Sequence, residues 1–229
     1  MDKSYNFEDF CGVIEQLRSE NGCPWDKKQT HSSLKQCLIE EAYEVLQGID
    51  EYEQSEDFDN LREELGDVLL QVVMHSVIAK EEGIFTIDDV IDEVAKKMVR
   101  RHPHVFGDTT AAGTEDITRN WDEIKKAEKN KINKKDDLSS IPVVFPALIR
   151  AQKVIKKSEK LKLEDAIQFD EGLIQEKMEI ILDEMKDEES KNNAFGALLF
   201  EICKLGQIHY LNAENCLSEF IKEYIRTKE

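Results

Sequence analysis

Turn-forming residues are scarce in this chain, with ten glycines and four prolines in 229 residues, about 6%, against roughly 12% in average usage. A chain this short of punctuation does not supply the many tight turns of a barrel or sandwich. Apolar residues instead recur at three- and four-residue steps, the period of an amphipathic helix, and the expected fold class is all-α. Phe7, Phe10, Val13, Ile14 and Leu17 predict a helix over about 6–19, which NGCPWD interrupts. Leu34, Leu38, Val45 and Ile49 predict a second over about 31–50, and Leu61, Leu65, Val68, Leu69, Val72 and Val73 a third over about 57–82, with the acidic stretch Asp50 to Asp57 as the loop between them. Gly83 reads as a C-cap, and Thr86 with Asp88 and Asp89 as the start of a fourth helix reaching about Arg101. Four helices in about 100 residues suggest a bundle.

HPHVFGDTTAAGTED follows as a loop, then a short helix with Trp121, Ile124 and Lys125, whose lysine-rich end runs through KNKINKKDD towards Pro142. This divides the chain into a domain at 1–130, a linker at 131–142 and a helical domain at 143–229, with apolar patterns through Ile149, Val154 and Ile155, through Ile180, Ile181 and Met185, through Leu198, Leu199, Ile202 and Leu205, and through Leu217, Ile221 and Ile225. Neither a glycine-rich phosphate loop nor a GxSxG elbow occurs, which removes P-loop and hydrolase-fold enzymes.

Forty-nine acidic residues against 31 basic give a formal charge of -18. Such a balance repels nucleic-acid backbones and anionic lipid heads, so neither is an expected partner. No apolar stretch reaches the ~18 residues of a membrane span, MDKSYNFEDF lacks the pattern of a secretory signal, and the expected location is the cytoplasm. Cys11, Cys23, Cys37, Cys203 and Cys216 show no paired spacing for zinc or a disulfide framework, and read as reduced, mainly buried small residues.

The chemically informative stretches are Glu40-Glu41-Ala42-Tyr43-Glu44 and Glu63-Glu64-Leu65-Gly66-Asp67. Residues three or four apart share a helix face. Glu41 with Glu44, and Glu64 with Asp67, thus form two carboxylate pairs that can face each other across an antiparallel hairpin at the usual 8 to 10 Å between helix axes. Four clustered carboxylates repel one another unless a cation intervenes, and hard divalent ions take oxygen ligands. A solvated acidic face is the alternative. Against it, these acids interrupt the apolar stripes, with Glu40 and Glu41 following Leu38 and Ile39 and Asp67 embedded in LGDVLLQVV. Lys97 and Arg101, four apart, can address one polyphosphate or serve as ordinary charge at a helix C-terminus. His102 and His104 around Pro103 read as structural, and Trp25 as a packing or pocket-wall residue.

NGCPWDKKQTHSSL, the pair LIEEAYEV and LREELGDVLLQVV, and KKMVRRHPHVFGD together resemble the MazG family of nucleoside triphosphate pyrophosphohydrolases, within the all-α NTP pyrophosphatase superfamily. The resemblance covers about residues 6 to 130 and continues more weakly through PALIRAQK at 146 to 153. It implies a helical bundle that assembles as a homodimer and cleaves NTP or dNTP to NMP and pyrophosphate with Mg2+, in nucleotide-pool housecleaning. By the same resemblance, Glu41, Glu44, Glu64 and Asp67 hold Mg2+, and Glu40 and Glu63 border the metal or nucleotide. Lys97, Arg101, Trp121 and Lys125 contact the nucleotide. Glu40 or Glu41 takes the proton of the attacking water, while Lys97 and Arg101 steady the leaving pyrophosphate. The runner-up reading is a non-catalytic nucleotide- or metal-binding regulator.

FDEGLIQEKMEIILDEM and NNAFGALLFEICKL resemble the two motif helices of a second, degenerate copy. Setting Gly196 against Gly66 puts Ala194 and Ala197 where Glu64 and Asp67 stand, and for the preceding helix a separate register, which needs a shorter connection, puts Ile180 and Ile181 opposite Glu40 and Glu41, leaving only Glu184. Alanine cannot ligate Mg2+, so this half is expected to serve packing or dimerisation without hydrolysis.

Overall fold

A computed structural model describes residues 4–108, 113–131, 138–163, 171–184 and 190–228. Among them are ten α-helices and no strand: α1 (Phe7–Arg18), α2 (Lys35–Ser55), α3 (Asp59–Glu81), α4 (Ile87–Arg101), α5 (Pro103–Phe106), α6 (Thr114–Lys131), α7 (Ala147–Lys160), α8 (Glu171–Glu184), α9 (Lys191–Ile208) and α10 (Ala213–Arg226). The chain is all-α, as its periodicity requires. It divides into two units at Glu123 and Ile124, inside α6. Met185, residues 109–112 of the glycine-containing loop and residues 132–137 of the expected linker lie outside the described residues.

Local chemistry sets the helix ends of the first unit. Asn6 caps α1 in a reciprocal box with Asp9, and Thr86 caps α4 in the same way with Asp89. Beyond α3, Gly83 turns the chain at φ +70°, and the Ile84 N–H reaches the Ala79 carbonyl at 2.9 Å, closing the helix. Three boundaries differ from the sequence expectation. Thr30 and Ser33 exchange side chain to backbone hydrogen bonds, so regular helix begins only at Lys35. The acidic stretch continues α2 to Ser55 because Glu51 is tied by Gln47 at 2.8 Å and by Asn60 at 2.8 Å, and Glu56 then stops it in the left-handed region. The helix carrying Trp121 is also not short, running 18 residues.

The core of this unit is Ile14, Leu34, Val73, Met74, Val77 and Ile78, where α1 and the start of α2 meet the C-terminal half of α3. Arg18 fastens the intervening segment. Its guanidinium donates to Glu81 at 2.6 Å and to the carbonyls of Asp26 and Gln29 at 2.6 and 3.1 Å. With the backbone held there, Trp25 is left 62% exposed, so of the two expectations, packing or pocket wall, it does not meet the first. The cysteines also depart from expectation: all are free, but only Cys203 is buried and Cys216 is exposed, because most of them ride on helix faces that the unit leaves half open.

His31 and His75 join the entry of α2 to α3. Their Nδ1 atoms are 2.8 Å apart and their ring planes only 7° from parallel, so one imidazole donates to the other. Both rings cannot carry a proton on the shared side. Burial, then the neighbouring His31, holds His75 below the ordinary histidine value of 6.5. Below pH 6.5 the unfolded chain binds a proton that the folded one refuses, so stability is constant above that pH and falls as the solution is acidified through it. The melting temperature of wild type should therefore drop between about pH 6.5 and 5 by more than that of His75→Gln, as read by circular dichroism.

In the second unit, α7 and α8 both lie against α9, burying Ile155, Ile174, Ala194 and Cys203. Gln152 ties down the start of α10, donating to the Leu211 carbonyl at 2.8 Å and accepting from the Ala213 N–H at 2.9 Å.

Candidate functional site

The α2 and α3 hairpin brings the two carboxylate pairs face to face. One oxygen each from Glu41, Glu64 and Asp67 lies within 4.8 Å of the others, and all three residues are half-buried. Glu44 is within hydrogen-bonding reach of both Glu41 and Glu64, which makes it the link between the helices. Glu41 is held above the ordinary glutamate range, first by burial and then by the charges of Asp67 and Glu44. Glu64 is likewise raised by burial and then by Glu44. Like charges this close favour the protonated form or a bound cation. Glu44 itself is exposed, as are Glu40 and Glu63, so the cluster opens to solvent on one side.

The donor set is all carboxylate oxygen, which suits a hard divalent ion. Two oxygens on opposite sides of Mg2+ stand about 4.2 Å apart at bond lengths of about 2.1 Å. Oxygens spread over 4.8 Å therefore close onto one ion by small side-chain rotations. Among the described residues this is the single group of three or more acids, histidines or cysteines so arranged.

Gly48, a residue the sequence reading passed over, sets how closely the hairpin closes. It is buried, and a Cβ built there would lie 2.9 Å from Leu61 Cα and 3.0 Å from Leu61 N. The two backbones touch at this point, one turn beyond Glu44 and one turn before Glu64. A glycine inside a strong helical pattern was the available signal, since it costs about 1 kcal/mol against alanine and is retained for close approach.

The remaining candidates divide. Glu40 is exposed and accepts from Gln36 Nε2 at 2.9 Å, outside the three-acid group, while exposed Glu63 adds its charge beside Glu64. Lys97 and Arg101 are half-buried near the end of α4, and the Arg101 guanidinium lies 5.2 Å over the Trp121 ring. His102 meets the same ring edge-on at 5.0 Å while its Nδ1 is 2.7 Å from the Met98 carbonyl, a packing role in keeping with the structural reading. Arginine and tryptophan are thus brought together, whereas exposed Lys125 falls in the second unit. A shallow concavity lined by Glu15, Arg18 and Lys80 lies at the far end of α3 and has no part in this constellation.

Fold and site together are those of an all-helical protein with a carboxylate-lined hairpin and an arginine lying over a tryptophan. Residues 29–106 match the MazG nucleotide pyrophosphohydrolase domain. The chain is 40% identical over 226 residues to the nucleoside triphosphate pyrophosphohydrolase/pyrophosphatase MazG of Thermotoga maritima, covering 96% of this chain and 82% of that protein. It is 44% identical over 146 residues to the nucleoside triphosphate pyrophosphohydrolase of Escherichia coli K12, covering 63% of this chain and 54% of that one. To the YabN protein of Bacillus subtilis it is 55% identical over 152 residues, covering 66% of this chain and 30% of that protein. It therefore spans less than two thirds of the Escherichia and Bacillus relatives. The chain belongs to the MazG family of nucleoside triphosphate pyrophosphohydrolases.

Proposed function

We propose that this protein hydrolyses nucleoside triphosphates at the α–β phosphoanhydride in a Mg2+-dependent reaction, giving NMP and pyrophosphate. The observation that carries this reading is the meeting of Glu41, Glu64 and Asp67 oxygens within 4.8 Å, with Glu44 between the helices. Glu41, Glu44, Glu64 and Asp67 would hold Mg2+, which would supply charge neutralisation for an anionic substrate and favour deprotonation of water. Glu41, or its neighbour Glu40, takes a proton from the attacking water as its oxygen bonds to the α-phosphorus. The bond from that phosphorus to the bridging oxygen breaks, and the electron pair leaves with pyrophosphate. Lys97 and Arg101 donate to phosphate oxygens, where charge develops. The position of the Arg101 guanidinium over the Trp121 ring supports this role, since a side chain packed against a ring has less entropy to lose on binding phosphate. By the family resemblance Glu63 borders the metal or nucleotide.

Chromatographic product analysis of canonical and modified NTPs, with and without Mg2+, tests the proposal. Metal-dependent NMP plus pyrophosphate is expected. Formation of NDP and orthophosphate overturns the assigned bond, and nucleotide binding without turnover by folded protein favours the regulatory reading instead.

Assembly as a homodimer in the cytoplasm belongs to the same proposal. On α2, Ile39, Tyr43 and Leu46 are 51, 52 and 54% exposed, and on α3 Leu65 and Leu69 are 52 and 40% exposed. These were expected core positions in part, yet within one chain they form an apolar stripe on the side of each helix away from the acids. A second copy of the hairpin is the occupant proposed, and Leu65→Asp with Leu69→Asp should convert dimer to monomer in sedimentation equilibrium and make melting independent of protein concentration. The second unit fits a packing role. In the register that aligns Gly196 with Gly66, Val73 and Cys203 are both fully buried, while Ala194 and Ala197 replace two acids.

A further inference from the structure

Gln71 follows Asp67 by one turn and Glu64 by two, on the same face of α3. Along that face it is the first buried position after the half-buried acids, only 6% exposed. Its Oε1 is buried with no hydrogen-bond partner among the described residues. A buried amide oxygen left without a donor is unfavourable and calls for a ligand or a water. In the register that aligns Gly66 with Gly196, the second unit has Glu201 at this place, also buried, but its Oε1 accepts from Lys204 at 2.8 Å. The second unit thus supplies its own cation to that position, leaving only the second oxygen of Glu201 open, whereas the Gln71 oxygen receives nothing from the described residues.

The chemistry of the other proposed nucleotide-binding groups narrows what Gln71 serves. Lysine, arginine and tryptophan only donate hydrogen bonds, so Lys97, Arg101 and Trp121 offer nothing to a donor on the nucleoside. The four carboxylates would be taken up in holding the cation of the proposed function. Gln71 is the neutral acceptor beside them.

We propose that Gln71 is a specificity-determining residue whose amide oxygen accepts a hydrogen bond from an N–H or O–H group of the nucleoside. This rests on the nucleotide reading above and adds a residue and a contact to it. In adenosine and cytidine nucleotides those donors are the exocyclic amine, the 2′-hydroxyl and the 3′-hydroxyl.

The test compares wild type with Gln71→Met, which keeps length and volume but removes the acceptor, and with Gln71→Glu, which restores one. Binding of α,β-methylene ATP and CTP is measured by calorimetry with Mg2+, alongside their 2′-deoxy, 3′-deoxy and amine-free counterparts. Gln71→Met should weaken the parent nucleotides about 10- to 100-fold and leave unchanged the single analogue that lacks the donor being read, identifying it as sugar hydroxyl or base amine. Gln71→Glu should regain part of the loss. Equal weakening of every analogue, or none, overturns the proposal. The rise in melting temperature with Mg2+ alone should match wild type in Gln71→Met, and its loss would assign the residue to the metal and equally overturn the proposal. Wild-type turnover of the hydrolysable parents is followed in parallel. If binding discriminates as stated while no NMP forms, the hydrolase reading fails and the Gln71 assignment stands.

Discussion

Asp67→Asn and Glu41→Gln should each lower kcat/KM for NTP hydrolysis by at least about 100-fold, because each removes an anionic ligand from a site whose chemistry depends on a held cation, and even outer residues of such sites are worth 10- to 100-fold. The same substitutions should not unfold the protein. Glu41 is pushed towards its neutral form by burial and by the Asp67 and Glu44 charges, so removing its charge relieves repulsion in the metal-free chain. The melting temperature without metal should stay level or rise, and the increase produced by saturating Mg2+, about 2.7 kcal/mol of added stability at a hundred times Kd, should disappear. Thermal melts with and without Mg2+, beside steady-state kinetics, read both quantities. Full activity in both variants would sink the metal site.

Gly48→Val carries the largest expected loss of stability. The new side chain would meet the Leu61 backbone, which cannot rotate away as a side-chain tip does. The helices must separate, at an overpacking cost of about 3 kcal/mol, or a fall of roughly 6 to 12 °C in melting temperature for a protein of this size. Because Glu44 and Glu64 lie one turn from that contact, the acids should spread and Mg2+ affinity should weaken as well. Gly66→Ala is the matched control. A Cβ there meets nothing within 4 Å, so helix propensity alone acts, for a gain of up to about 1 kcal/mol. Urea melts of the three proteins, with Mg2+ titrations, separate the clash from any general intolerance of substitution.

The contrast between these two glycines shows where reading the sequence stopped. Both stand inside amphipathic helical patterns, and nothing local distinguishes one at a backbone contact from one facing open space. The pairing of Glu41 with Glu44 and of Glu64 with Asp67 was legible, because the three-residue step on a helix is a property of the chain alone. That Glu44 bridges to Glu64 was not, since it depends on how far the hairpin closes. The packing of Trp25 was misjudged for a related reason: an aromatic in a polar loop carries no sign of which way its anchored backbone turns it.

Local sequence was enough to show that the chain is helical and where three of its first four helices begin and end. These follow from propensity, capping and periodicity, which act over a few residues. Only the tertiary structure decided that three carboxylate oxygens converge, that Arg101 lies on Trp121, that the Gln71 oxygen is buried without a donor among the described residues, and that part of the apolar pattern on α2 and α3 remains uncovered in a single chain. Each of these depends on contacts between residues distant in sequence, whose distances are set by packing and not by local chemistry.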